Sequence, residues 1–142
     1  MVQVDMTRPG RELRPGIDLW KTTKCESVRS RAGDQMLKLT LERVSNPQER
    51  IFDNIMLEGG GWEIGKRKLA AFVPADFNGD LDPLELVCIR VWVCTAVDTY
   101  QGKDKLAVSI DELKCAGYQR VEDVPPGCSV PEVEDEDMSA PF

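Results

Sequence analysis

The stretch that decides the predicted fold is Val87-Cys88-Ile89-Arg90-Val91-Trp92-Val93-Cys94-Thr95-Ala96. β-Branched residues stand at every second position of its first half, a pattern typical of a strand with one buried face. Because strand side chains alternate, positions 87, 89, 91 and 93 are predicted to face the core, and Arg90 and Trp92 the opposite side. This is the strongest strand signal in the chain.

Four further strands and one helix are predicted on either side of this stretch. Alternation of apolar and polar residues predicts strands at 17–28, 36–44, 51–57 and 105–113. A helix is predicted at 62–73, between a run of three glycines and Pro74, with an inward stripe of Trp62, Leu69, Phe72 and Val73. In the first strand, alternation places Trp20 and Lys24 on the face opposite Leu19 and Cys25.

The predicted order of elements is β-β-β-α-β-β. Five strands with a helix between the third and the fourth indicate an all-β protein with a closed five-stranded OB-fold barrel. We expect a flexible arm at 1–15, the barrel at 16–120 and a disordered acidic tail at 121–142.

The net charge of −7 over 142 residues is distributed unevenly. All 18 Lys and Arg residues lie at or before Arg120, whereas 121–142 holds seven acids and no base. Residues 1–120 are therefore neutral overall, and 8–31 contain seven bases against three acids. A local excess of this kind suits contact with a phosphate backbone.

Composition argues against a metal, a cofactor or an enzyme. The chain has no histidine, and its five cysteines form no CxxC pair, so we expect free thiols and no zinc site. The commonest general base is absent, no phosphate-binding loop is found, and Asp80, Asp82 and Glu85 stand in ordinary turn sequence. With no signal-peptide pattern and no long apolar run, a cytoplasmic protein that does not enter a membrane is expected.

The candidate site follows from how OB barrels bind single strands, with aromatic platforms for the bases and cations for the phosphates. Trp20 and Trp92 are predicted to be exposed platforms on neighbouring strands, with Tyr100 on the last hairpin loop. The predicted phosphate contacts are Lys21, Lys24, Arg29, Arg31, Lys38, Arg90, Lys103 and Lys105. The predicted ligand is single-stranded DNA, bound with little sequence preference and with strong salt dependence.

The last residues combine an acidic run, Glu134 to Asp137, with an apolar end at Pro141 and Phe142. A partner with an apolar pocket rimmed by Arg or Lys would bind the ring, the carboxylate and the acids together. The predicted partner-binding residues are Asp135, Glu136, Asp137, Pro141 and Phe142.

This acidic, Phe-terminated tail resembles the C-terminal tip of bacterial single-stranded DNA-binding proteins. The body, from Leu13 through 36–41, 51–57 and 87–97, is similar in pattern to phage-encoded OB-fold proteins of this kind. The resemblance implies an accessory protein of replication or recombination, which coats single strands and recruits other enzymes through its tip. Few strand aromatics and a long 74–86 connection favour a monomer or homodimer.

Other interpretations stay open. The barrel could be a scaffold for a protein-binding adaptor or inhibitor, which the neutral body favours, and a third alternative is an enzyme subunit acting through Asp and Glu alone. Trp62, Phe52 and Phe72 are interpreted as packing residues, and the cations at 66–68 as a solvated helix end. Trp20 and Trp92 could instead be covered by the arm or by a second subunit.

Overall fold

The fold is mostly β. A computed structural model describes residues 1–6 and 13–129 of the chain. Short 3-10 turns occupy Gly59–Gly61 and Pro83–Leu86. The longer elements are β1 (Gly16–Arg29), β2 (Gln35–Arg43), β3 (Asn46–Met56), α1 (Trp62–Leu69), β4 (Arg90–Tyr100), β5 (Lys103–Val108) and β6 (Tyr118–Arg120). The predicted β-rich chain with one short helix between the third and fourth strands is confirmed.

The strands form a single antiparallel sheet. Its order is β3-β2-β1-β4-β5, and β6 pairs with the first half of β4 on the same edge as β5. β3 and β5 approach each other, but no ladder joins them in the described part of the chain. The prediction of five strands and a closed barrel is therefore wrong. The backbone N–H of Ser109 donates to Cys94 O at 2.9 Å, which keeps the chain beside β4 one residue beyond the end of β5.

β4 begins three residues later than predicted because a buried threonine holds the chain before it. The backbone N–H of Thr22 donates to Ile89 O at 2.9 Å, and that of Cys88 donates to Thr22 O at 2.7 Å. Ile89 N–H also donates to Thr22 Oγ1 at 2.9 Å. Cys88 has a φ of 66°, outside the strand region, so the residues before Arg90 lie against β1 without extending the regular ladder.

A β-bulge in β1 reverses which residues face inward. The pairing with β2 shifts register between Thr22 and Lys24. Before the shift Trp20 and Thr22 point into the interior; after it Cys25 does, and Lys24 points outward. An extra residue in one strand moves every later side chain to the other face. The predicted alternation is thus correct after the bulge and wrong at Trp20.

The core lies between the inner face of the sheet and α1. α1 packs closely on β3 because Gly65 has no side chain: a β-carbon there would overlap the carbonyl oxygen of Met56. No helix within residues 1–6 and 13–129 is long and apolar enough to cross a membrane. The large aliphatic residues of the core are Leu37, Leu39, Leu41, Ile51, Ile55, Leu69, Leu86, Val91 and Val93.

A buried polar cluster joins α1, β3 and β6. Lys68 Nζ lies 2.8 Å from Asp53 Oδ2, and the Tyr118 hydroxyl donates to the same oxygen at 2.6 Å. Burial, and then the Asp53 carboxylate, raise the pKa of Tyr118 well above its usual value, so the phenol stays a donor. The expectation of a solvated Lys68 is wrong. Removing Asp53 would leave a buried ammonium unpaired, at a cost of about 3–5 kcal/mol.

Candidate nucleic-acid interface

Trp20, predicted to be an exposed platform, is a core residue. It is 0% exposed and belongs to the interior cluster with Val91 and Tyr118. The Arg43 guanidinium lies 4.6 Å from the centre of its ring. Arg43 is itself buried, pairs with Asp18, and lies 3.0 Å from Glu49 Oε2 through Nε. The bulge in β1 and this ionic cover exclude Trp20 from contact with a base.

Trp92, the other predicted platform, is also covered, at 2% exposed. It does point away from Val91 and Val93, as the alternation predicts, and its cross-strand partners are Leu19 and Gln119. Its indole N–H donates to Val121 O at 3.1 Å. The unpredicted strand β6 carries the following chain over this face, so the prediction of exposure is wrong.

The outward face of β1, β2 and β3 carries a different aromatic side chain. Phe52 is 72% exposed, whereas its neighbour Ile51 is buried. Lys24, Thr40 and Phe52 are successive cross-strand partners on this face, and the row ends at Phe52 on the edge strand β3. We use the name Phe52 face for ten outward residues: Lys21, Lys24, Glu26, Lys38, Thr40, Glu42, Arg50, Phe52, Asn54 and Arg90.

Two further rows lie beside the central one, each about 7 Å away along the strands. One row contains Glu26, Lys38 and Asn54. The other contains Lys21, Glu42 and Arg50, with Arg90 of β4 opposite Lys21. The exposed ring on the edge strand therefore has polar and charged side chains beside it at regular spacing.

The Phe52 face carries five cations and two acids. Lys24 Nζ lies 3.0 Å from Glu26 Oε1, and Arg50 Nε lies 3.4 Å from Glu42 Oε2. Lys38 has no ion-pair partner among residues 1–6 and 13–129 and is exposed to solvent on one side of Phe52. Cations that are not neutralised by a neighbour are available for phosphates.

The hairpin residues of the predicted site form two separate exposed groups. Arg29 and Arg31 lie at the β1–β2 turn, where Arg29 donates to Gly33 O at 2.8 Å. Tyr100 lies opposite Lys103 at the β4–β5 turn, and Lys105 lies opposite Asp98. The β4–β5 group and Arg90 are at opposite ends of β4, roughly 30 Å apart along an extended strand.

Phe52 was missed as a functional residue because it was interpreted as packing. The signal was present in the sequence: Ile51 and Ile55 mark the inward face of β3, and Phe52 falls on the other face with Asn54. Arg50 belongs to the same face.

A second exposed aromatic region lies between α1 and the 74–86 connection. Trp62 and Phe77 are 38% and 42% exposed, so the interpretation of Trp62 as a packing residue is only partly correct. They line a cavity of about 510 Å³ with Leu57, Leu69 and Asp80. We call it the Trp62 groove. Residues 74–86 hold four exposed acids and no base: Asp76, Asp80, Asp82 and Glu85.

The thiols of Cys25, Cys94 and Cys115, which are buried or partly buried, are not activated nucleophiles. Burial, reinforced by Glu26, raises the pKa of Cys25 to about 11, and burial also raises the pKa of Cys94 and Cys115. All three are protonated at neutral pH, whereas a nucleophilic cysteine needs its thiolate. Within residues 1–6 and 13–129 no cluster of acids and cysteines is suited to a metal ion.

The first part of the predicted acidic tail, residues 121–129, packs against the folded domain. Gln119 Nε2 donates to Asp123 O at 2.8 Å, and Pro125 is buried. The predicted partner-binding residues Asp135, Glu136, Asp137, Pro141 and Phe142 lie outside the described residues.

No protein-family model matches the chain, and no curated protein shows significant similarity to it. The site therefore has to be interpreted from its own residues.

Proposed function

We propose that the protein is a non-catalytic single-stranded DNA-binding protein that uses the Phe52 face. The observation that carries the proposal is an exposed phenylalanine on the edge strand of a sheet face that holds five cations and two acids. An aromatic platform stacks on any base, and cations follow the backbone, so binding is tolerant of sequence and sensitive to salt.

The architecture supports this use of the sheet. An antiparallel sheet with one helix between β3 and β4 is compatible with an OB-like fold, which binds oligonucleotides on its second and third strands and on the adjoining loops. Phe52 and Lys38 lie on those strands, and Arg29, Arg31 and Tyr100 lie on the corresponding loops. These loop residues extend the binding surface for a single-stranded DNA that is bound to the Phe52 face.

Fluorescence anisotropy of a labelled oligo(dT) of about 20 nucleotides tests the proposal, because an OB-fold covers about 4–16 nucleotides. At about 50 mM salt we expect saturable binding that weakens steeply as salt is added. Quenching of tryptophan is a poor reporter here, since Trp20 and Trp92 are buried. Absence of binding to the single strand under these conditions would reject the proposal.

The tail adds a second part to the proposal, which rests on sequence alone. Following the resemblance to phage-encoded proteins, the acidic run and Phe142 recruit proteins of replication or recombination. The same acids can compete with DNA for the Phe52 face. Removing residues 131–142 then strengthens oligo(dT) binding; unchanged affinity would leave the tail with partner binding only.

A protein-binding adaptor is the second candidate, and the Trp62 groove favours it. The groove combines exposed rings with the acids of the 74–86 connection, so it suits a partner segment with an apolar anchor and basic flanks. An adaptor of this kind gives no gel shift with single-stranded or duplex DNA, which separates the two candidates.

A further inference from the structure

A concavity in the Phe52 face has the size and the polar groups of a site for one base. It has a volume of about 170 Å³ and is lined by the outward residues Lys24, Glu26, Lys38, Thr40, Phe52 and Asn54, together with Leu39 and Asp53. A protein cavity of about 150 Å³ holds a benzene-sized ring, so one planar base fits this space. Phe52 supplies the surface on which such a ring stacks.

Of the two acids that line this concavity, Asp53 is already bonded to Lys68 and Tyr118, so Glu26 is the informative group. Glu26 stands in a face that otherwise attracts phosphates, and its charge opposes them. Lys24 Nζ lies 3.0 Å from Oε1 of Glu26, and no other described residue is bonded to this carboxylate. An ionised carboxylate only accepts hydrogen bonds, so the free oxygen Oε2 suits a donor on the ligand.

The side chains beside Glu26 supply hydrogen-bond donors that complement its acceptor oxygens. Lys38 lies opposite Glu26 across the strands, and Asn54 lies opposite Lys38. The Lys38 ammonium only donates, whereas the Asn54 amide both donates and accepts. Neither side chain has a hydrogen-bond partner within residues 1–6 and 13–129, so both are available to a base edge.

We propose that this concavity is a subsite for one unpaired base that carries an exocyclic amino group, and that it takes cytosine in preference to thymine. The inference rests on the proposed DNA-binding function and adds a base preference to it. The amino group of cytosine donates to Glu26, as acidic side chains accept from this group elsewhere, and Lys38 donates to a ring acceptor. Thymine presents a carbonyl oxygen at the position of the amino group, which places two acceptors against each other.

The test compares oligo(dC) with oligo(dT) of equal length by anisotropy, since the two pyrimidines differ at this group. We expect the native chain to bind oligo(dC) roughly fivefold tighter or more, the low end of the range for a base-edge contact. In Glu26→Ala the ratio falls to within about twofold, because the acceptor is lost while Phe52 and the cations remain.

Glu42→Ala is the matched control. Glu42 is an acid on the same face, paired with Arg50 as Glu26 is with Lys24, but it does not line the concavity. Its removal strengthens binding of both oligonucleotides and leaves their ratio unchanged. If the native chain bound oligo(dC) and oligo(dT) equally, the base preference would be overturned and the proposed function would stand. The same would follow if Glu26→Ala and Glu42→Ala changed the ratio of the two affinities equally. Binding of neither oligonucleotide would overturn the proposed function and the preference with it.

Discussion

The Phe52 face and the Trp62 groove both expose aromatic rings, but their charges have opposite sign. Phe52 lies among five cations and two acids on four paired strands. Trp62 and Phe77 border a connection that holds four acids and no base. An exposed ring by itself indicates only that something binds. The surrounding charge indicates what binds: nucleic acid at the face, and a basic partner segment at the groove.

The comparison also separates the surface aromatics from the interior ones. Trp20→Ala should destabilise the protein by about 3–5 kcal/mol, because it removes a large side chain from a packed core. Phe52→Ala should change the free energy of unfolding by less than about 0.5 kcal/mol. Denaturant unfolding followed by circular dichroism measures both. Equal losses of stability in the two variants would contradict the assignment of Phe52 to the surface.

Charge reversal should weaken oligo(dT) binding strongly on the Phe52 face and only slightly beside the Trp62 groove. Lys24→Glu with Lys38→Glu should weaken oligo(dT) binding on the order of 100-fold at low salt, since two phosphate contacts become repulsive. The matched control is Lys66→Glu with Arg67→Glu on α1, where Lys66 borders the recess between Trp62 and Phe77. It should change affinity less than about threefold. A loss of similar size in both double variants would mean that the cations act only through net charge.

A single neutralisation sharpens the comparison through salt dependence. Lys38→Gln should reduce the slope of log affinity against log salt by about 1, the value for one phosphate contact. Affinity titrations at several salt concentrations give the slope. An unchanged slope would show that Lys38 does not contact a phosphate of the DNA backbone.

The smallest effect is expected at the groove. Trp62→Ala with Phe77→Ala should leave oligo(dT) affinity within about twofold, because the acids around these rings repel phosphates. The same anisotropy titration measures it. If this variant lost most of its oligo(dT) affinity, the sign of the surrounding charge would not decide which aromatic region binds DNA.

The sequence predicted the elements better than the surface. Alternation identified β1 to β4, because one buried face leaves a period-two pattern. The glycine run at 59–61, Pro74 and the apolar stripe between them identified the position of α1. It failed at Trp20, since one extra residue between Thr22 and Lys24 shifts the phase and leaves no composition signal. It failed at Trp92 because β6 has three residues, too few for a pattern.

The sequence predicted cations of the candidate site, but it did not predict the aromatic residue Phe52. Lys24 and Lys38 follow from alternation after the bulge and lie on the Phe52 face. Phe52 was assigned to packing by residue type, although its position between Ile51 and Asp53 on β3 places it on the outward side. The ion pairs that neutralise Arg43 could not be inferred from the sequence, because they join β1, β2 and β3 through the fold.

The central claim is that the exposed ring of Phe52 is the platform for an unpaired base. Its most direct test is the oligo(dT) affinity of Phe52→Ala beside that of Phe77→Ala, each compared with the native chain by fluorescence anisotropy. We expect a loss of about 1–3 kcal/mol for Phe52→Ala, the range for one stacked base, and no significant loss for Phe77→Ala. Native affinity in Phe52→Ala, with the fold intact, would contradict it.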